Sequence, residues 1–167
     1  QLVASKGLDV TLIEKDDQSA KRALEGITRS IDNEIARWTM TNSEKKNILN
    51  RIVTSCNIED AASGDLVIES IPENLESKRE IFIKLDNICG KNTIFITNTS
   101  TLSITEIAQV TRREDKIIGM HFLHPVPKIP LVEIVRGLKT SNDTYKATRK
   151  FAEILDKTAV EDYENPG

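Results

Sequence analysis

Aromatic side chains make up only 4% of this 167-residue chain, and histidine and cysteine occur twice each. Cys56 and Cys89 match neither a CxxC pair nor a metal-ligand spacing, so a disulfide framework or a thiolate metal centre is not expected. Both read as small buried apolar groups in a reducing compartment. No apolar run approaches the roughly 18 residues that span a bilayer, which excludes a membrane helix. An excess of positive charge is also missing. Lys and Arg number 23 against 26 Asp and Glu, giving a net charge of -3 without a polybasic cluster, so nucleic acid is not an expected partner. The chain lacks an initial Met, and its seven glycines form no phosphate-binding fingerprint. Residues Gln1 to Gly7 read as the last turns of a helix closed by Gly7 in the left-handed conformation. Asn165-Pro166-Gly167 ends the chain on turn residues, so a piece of a longer protein is expected.

The composition that remains, 38% apolar and 29% charged, suits one ordinary α/β-sized domain. Leu8 to Ile13 reads as a short strand, and Asp17 is placed to cap a long amphipathic helix carrying Ala23, Leu24, Ile27, Ile31, Ile35 and Trp38 at three- and four-residue steps. Ser43 is placed to cap a shorter helix ending near Asn50. Strands follow at Ile52 to Thr54, Asp65 to Glu69, Thr93 to Thr97, Ile117 to Phe122, Leu131 to Val135 and Ala159-Val160. A helical turn separates the first two of these, and helices are expected at Glu73 to Cys89, Ser103 to Val110 and Asn142 to Lys157. Continuous apolar strands alternating with amphipathic helices predict a doubly wound, mostly parallel Rossmann-type sheet.

In such a sheet ligands meet the residues just beyond the carboxyl ends of the strands. Glu14 holds that place after the first strand, where an acid accepts hydrogen bonds from the adenosine ribose of NAD or stands as a solvated charge. His121 and His124 share the segment Gly119-Met120-His121-Phe122-Leu123-His124-Pro125. The turn containing Pro125, Pro127 and Pro130 can bring Glu133 back toward His121. A carboxylate on one ring nitrogen fixes the tautomer and leaves the other nitrogen to take a proton, which is a general-base dyad. Plain structural histidines are one alternative. A metal held by His121, His124 and Glu133 is another, although the ligand set is incomplete and no metal is expected. Asn98-Thr99-Ser100-Thr101 offers small donors where a carbonyl could approach, or alternatively a helix cap.

Three segments carry a family resemblance: Leu66-Val67-Ile68-Glu69-Ser70-Ile71-Pro72-Glu73-Asn74-Leu75, Thr97-Asn98-Thr99-Ser100-Thr101-Leu102-Ser103-Ile104, and Gly119-Met120-His121-Phe122 through Leu131-Val132-Glu133-Ile134-Val135. In order and spacing they resemble the NAD-binding domain of the L-3-hydroxyacyl-CoA dehydrogenases, 3-hydroxybutyryl-CoA dehydrogenases included, over nearly the whole chain. The resemblance implies a domain covering residues 1 to 167 that lacks its first strand and glycine loop. It also implies a long helical insertion after the parent's second strand, and Asn165-Pro166-Gly167 as a hinge toward an absent helical domain through which a homodimer would form. It implies NAD as cofactor, an acyl-CoA substrate, and a cytoplasmic oxidoreductase of fatty-acid β-oxidation or butanoate metabolism, inactive as this piece alone.

Residue by residue, the resemblance makes His121 the catalytic base and Glu133 its orienting partner. Ser100 would contact substrate and nicotinamide, Glu73 and Lys78 would line the nicotinamide side, and Glu14 would hold the ribose. The family's CoA contacts fall on Ser30 and, with Arg in place of Lys, on Arg37. His124 stands where the family usually has Asn beside the substrate. Ile129 to Glu133 also resembles the sugar-acid dehydrogenases and lambda-crystallins, so another hydroxy-acid dehydrogenase or a non-catalytic crystallin-like protein is the alternative.

Overall fold

The computed structural model describes residues 1 to 164, and the hinge expected at Asn165-Pro166-Gly167 lies outside the described residues. The chain divides into two compact units, Gln1 to Asp60 and Ala61 onward.

The first unit opens with α1 (Leu2–Ser5), closed as expected by Gly7 at φ 82°, whose N–H donates to the carbonyl of Ala4 at 3.1 Å. β1 (Val10–Ile13) pairs in parallel with β2 (Ile52–Ser55), joined by α2 (Asp17–Ala36) and α3 (Asn42–Asn50). Two expected caps move by one or two residues. Asp16 rather than Asp17 caps α2, accepting the Ser19 N–H at 2.7 Å, because a cap needs extended backbone and Asp17 is already helical. Thr41 rather than Ser43 caps α3, since only Thr41 stands three residues before a glutamate that can answer it. Its hydroxyl accepts the Glu44 N–H while Glu44 accepts the Thr41 N–H, closing a capping box. Trp38, counted by periodicity on the apolar face of α2, lies beyond the helix end at φ 59° and is 95% exposed. Leu24, Ile27, Ile31 and Ile35 do make that face, packing with Ala4, Ile48 and Ile52.

The second unit holds five strands in the order β3 (Leu66–Glu69), β4 (Ile94–Thr97), β5 (Ile117–Phe122), β6 (Leu131–Arg136), β7 (Thr158–Tyr163). Every pairing is parallel except β5 with β6. α4 (Leu75–Ile88), α5 (Ile104–Ala108) and α6 (Asn142–Ile154) connect or follow them, and a 3₁₀ turn over Ile58–Ser63 crosses the boundary between the units. Alternation alone suggests one sheet. Among the described residues the hydrogen-bonded strands form two, since β1 bonds only to β2 and the outer edge of β3 has no partner strand. The core of the second unit is Phe82, Phe95, Ile96, Ile117, Ile118, Met120, Ile134 and Leu155. Gly119 admits α5 to the sheet, because a Cβ there would stand 2.7 Å from Ile104 Cδ1. Of the two cysteines, Cys89 is buried as expected. Cys56 is exposed, because it follows the end of β2 in a surface turn, where its Sγ donates to Asp17.

Candidate active site

In the second unit the antiparallel register sets His121 on β5 directly opposite Glu133 on β6, as the proline turn between them suggested. His121 Nδ1 lies 2.7 Å from Glu133 Oε2. A carboxylate that accepts here places a hydrogen on Nδ1, so that in the neutral imidazole Nε2 is the nitrogen that presents its lone pair. Nε2 has no hydrogen-bond partner among the described residues, and both side chains are partly exposed, so the ring is open to a ligand on that nitrogen.

The β5 end is tied to its neighbours by Asn98. Its Oδ1 accepts the Phe122 N–H at 3.2 Å and its Nδ2 donates to Ser70 at 3.0 Å. The other polar residues after β4 order their own turn. Thr99 Oγ1 accepts the Leu102 N–H, while α5 is capped by Ser103 itself, which accepts the Glu106 N–H. Neither Asn98 nor Thr101 is needed as a cap. Ser100 is left exposed, with its backbone N–H donating to Glu73 Oε1 at 3.3 Å and its hydroxyl without a partner among the described residues.

Glu73 immediately precedes Asn74, the N-cap of α4, where the helix dipole favours a negative charge. Its carboxylate also accepts from the Thr99 and Thr101 hydroxyls. Partial burial works against its charge, but the Thr99 hydroxyl, the Lys78 ammonium and the Ser100 amide outweigh that and hold its carboxyl below the usual range. Lys78 is wholly buried, 0% exposed. Its Nζ donates to both oxygens of Glu69 at 2.7 and 2.9 Å and stands 3.4 Å from Glu73 Oε2. Glu69, at the end of β3, further accepts the Ile71 N–H at 2.7 Å and the Thr97 hydroxyl at 2.6 Å. Sequence reasoning missed Glu69 as the anchor of Lys78. The available signal was a charged residue ending a continuous apolar strand, nine positions before a lysine on the following helix.

His124 lies beyond the end of β5, exposed, before a cis peptide to Pro125. The loop it begins is held by buried Lys157, whose Nζ donates to the carbonyls of Val126 and Ile129. No cluster of three His, Cys, Asp or Glu side chains with metal-binding geometry occurs among the described residues.

In the first unit Glu14 follows β1, its N–H donating to the carbonyl of Ser55 at 2.9 Å. Its side chain has no hydrogen bond or ion pair among the described residues, so its two oxygens can accept a vicinal diol. An acid in this place, at a strand's carboxyl end, has the acceptors that a ribose diol needs. Ser30 lies on α2, half-buried, and Arg37 is the exposed C-cap of that helix. No helix is long and apolar enough to cross a membrane among the described residues.

Comparison with known proteins identifies the family and the fold. The model of a family described as "3-hydroxyacyl-CoA dehydrogenase, NAD binding domain" matches residues 1–164. A probable 3-hydroxybutyryl-CoA dehydrogenase of Bacillus subtilis is 41% identical over the whole chain, which spans 58% of that protein. The mitochondrial hydroxyacyl-coenzyme A dehydrogenase of Homo sapiens is 34% identical and is spanned to 55%. Among solved structures, the (S)-3-hydroxybutyryl-CoA dehydrogenase of Ralstonia eutropha superposes with a TM-score of 0.96 at 37% identity, covering 99% of this chain and 59% of that one.

Proposed function

We propose, for a chain that belongs to the NAD-binding domain family of the 3-hydroxyacyl-CoA dehydrogenases, that the whole protein oxidises the C3 hydroxyl of an L-3-hydroxyacyl-CoA. The observation that carries this reading is the His121 to Glu133 contact of 2.7 Å with Nε2 left open. His121 Nε2 takes the proton of the C3 hydroxyl as the C3–H bond breaks, and Glu133 faces the imidazolium so formed and keeps the ring in orientation. Bound NAD supplies the acceptor for the hydride. Ser100 offers its free hydroxyl to the substrate oxygen and the nicotinamide side, with Glu73 holding its backbone. Glu73 and Lys78 shape that side, Lys78 through its buried contacts.

Glu14 accepts the adenosine ribose hydroxyls and would repel a 2′-phosphate, which favours NAD over NADP. Ser30 and Arg37 serve the CoA end, Arg37 as a cation for phosphate. His124 faces the substrate in place of an amide. Two free cysteines accord with a reducing, cytoplasmic setting, and a homodimer forms through residues outside this chain. We also take residues 1 to 167 to be a domain whose first strand, glycine loop and helical partner domain lie elsewhere in the protein, so that the piece alone does not turn over substrate.

The test is NADH production from 3-hydroxybutyryl-CoA by the whole protein, with NADP and a free 3-hydroxy acid as controls. Turnover with NAD and the CoA ester, at a small fraction of that rate with either control, is the expected result. Equal turnover of the free acid would favour the sugar-acid dehydrogenase alternative, and turnover of neither would favour a crystallin-like role.

A further inference from the structure

The buried cation at the end of β3 has two carboxylates to answer and can neutralise only one. Glu69 receives both short contacts from Lys78 Nζ, at 2.7 and 2.9 Å, while Glu73 Oε2 stands at 3.4 Å from the same nitrogen. Glu69 is closed off by the Ile71 amide and the Thr97 hydroxyl. Glu73 remains 37% exposed. The other nearby cation of α4, Arg79, is engaged by Glu76 and Glu106. The three groups therefore carry one uncompensated negative charge, and it resides on the carboxylate that opens toward Ser100.

We propose that the Glu69–Lys78–Glu73 triad makes the protein discriminate between the two redox forms of its cofactor, holding the cationic oxidised nicotinamide more tightly than the neutral reduced ring. The proposal rests on the reading that Glu73 borders the nicotinamide, and it goes beyond that reading by assigning Glu73 a charge-selective task. Attraction between a half-exposed carboxylate and a ring cation is screened but real, and the reduced ring, having no charge, gains none of it. The donors on Glu73 Oε1, from Thr99, Ser100 and Thr101, keep the group ionised and fixed in place. Glu69 and Lys78 act as positioning residues, since neither has an exposed polar surface to offer a ligand.

The experiment is to measure dissociation constants for NAD⁺ and NADH separately, by calorimetry on the whole protein, for the parent, Glu73→Gln and Glu73→Asp. Glutamine keeps the acceptor for Thr99 and Ser100 while removing the charge. Glu73→Gln should weaken NAD⁺ by about 5- to 10-fold, the scale of one screened charge pair, and change NADH by less than about twofold. Glu73→Asp should retain most of the parent's ratio. Equal weakening of both forms by Glu73→Gln would assign Glu73 a purely steric or loop-ordering task and overturn the proposal alone. A parent that binds neither form would overturn the dinucleotide reading and the proposal with it.

Discussion

The two units solve the problem of holding a polar site in opposite ways. The first packs one helical stripe, Leu24, Ile27, Ile31 and Ile35, with Ala4, Ile48 and Ile52, and of its buried residues only Ser19 is polar. Its candidate ligand groups, Glu14, Ser30 and Arg37, sit on its surface, none of them fully buried. The second unit has a larger core and buries Glu69, Lys78 and Asp86 within it, each with partners. A group at the surface keeps its hydration and costs little to maintain. A group that must hold another side chain in register requires burial, and burial requires complete pairing. The difference suggests recognition in the first unit and chemistry in the second.

The strongest way to break that comparison is to unpair the buried triad. Lys78→Ala leaves the Glu69 carboxylate buried without its cation and should lower unfolding stability by about 3–5 kcal/mol in denaturant titration. Adding Glu69→Gln should recover a large part of that loss, since the two groups are coupled. A loss below about 1 kcal/mol would mean that water reaches Glu69 and that the second unit is no more committed to pairing than the first.

A second test separates the units by their kinetics. His121→Gln in the whole protein should lower kcat by roughly 100-fold or more, the range for a positioned general base, with KM for the acyl-CoA little changed. Glu133→Gln should lower kcat by a smaller factor. Arg37→Ala in the first unit should do the reverse, raising KM several-fold with kcat nearly unchanged. Parallel effects from both units would end the division of labour.

The boundary between what the residues disclosed and what they concealed follows the same line. The strands of the second unit were legible because each is a continuous apolar run between polar turns, and the His121 to Glu133 pairing was legible because three prolines in the intervening segment favour a turn. Caps were misplaced where residues close in sequence are chemically alike: between Asp16 and Asp17 only backbone conformation chooses, whereas between Thr41 and Ser43 the glutamate three residues after Thr41 was the overlooked signal. Trp38 was misread because a three-residue step from Ile35 satisfies helical periodicity whether or not the helix continues. The Glu69 to Lys78 pair was missed because burial of that charge depends also on Thr97, which comes from another strand.

Asp86 gives a test of intermediate size with a sign that can be worked out. Its carboxylate accepts from Arg112 Nε at 2.9 Å and Arg113 Nε at 2.6 Å, joining α4 to the segment after α5. Burial raises its pKa, but the hydrogen bonds from Arg112 and Arg113 outweigh this and hold the group below its usual range. A depressed folded-state value means the stabilisation is complete above the unfolded pKa, near 4, and is lost as pH falls through the lower folded value. Asp86→Asn should therefore cost about 2 kcal/mol at neutral pH. The gap between parent and variant should close as the pH is taken well below about 4. A gap independent of pH would mean the effect lies in packing and owes nothing to charge.

The smallest expected effect is a gain, and it falls in the first unit. Trp38 occupies the position after the C-cap of α2, where a left-handed residue closes the helix and glycine is favoured. At φ 59° the bulky side chain carries a backbone cost of about 1–2 kcal/mol. Its indole is 95% exposed, so it recovers almost nothing by packing. The turn itself is held by main-chain bonds, Trp38 N–H to the Ile35 carbonyl at 2.9 Å and Thr39 N–H to the Glu34 carbonyl at 3.1 Å, which any residue can make. Trp38→Gly relieves the strain, while the added freedom of glycine in the unfolded chain takes back about 0.5–1 kcal/mol. The net result should be a stabilisation of about 0.5–1 kcal/mol in the denaturant midpoint of this chain. A clear loss of stability instead would mean that the ring is covered in solution, and the surface of the first unit would then be an interface whose polar residues serve a macromolecular contact as well as a small ligand.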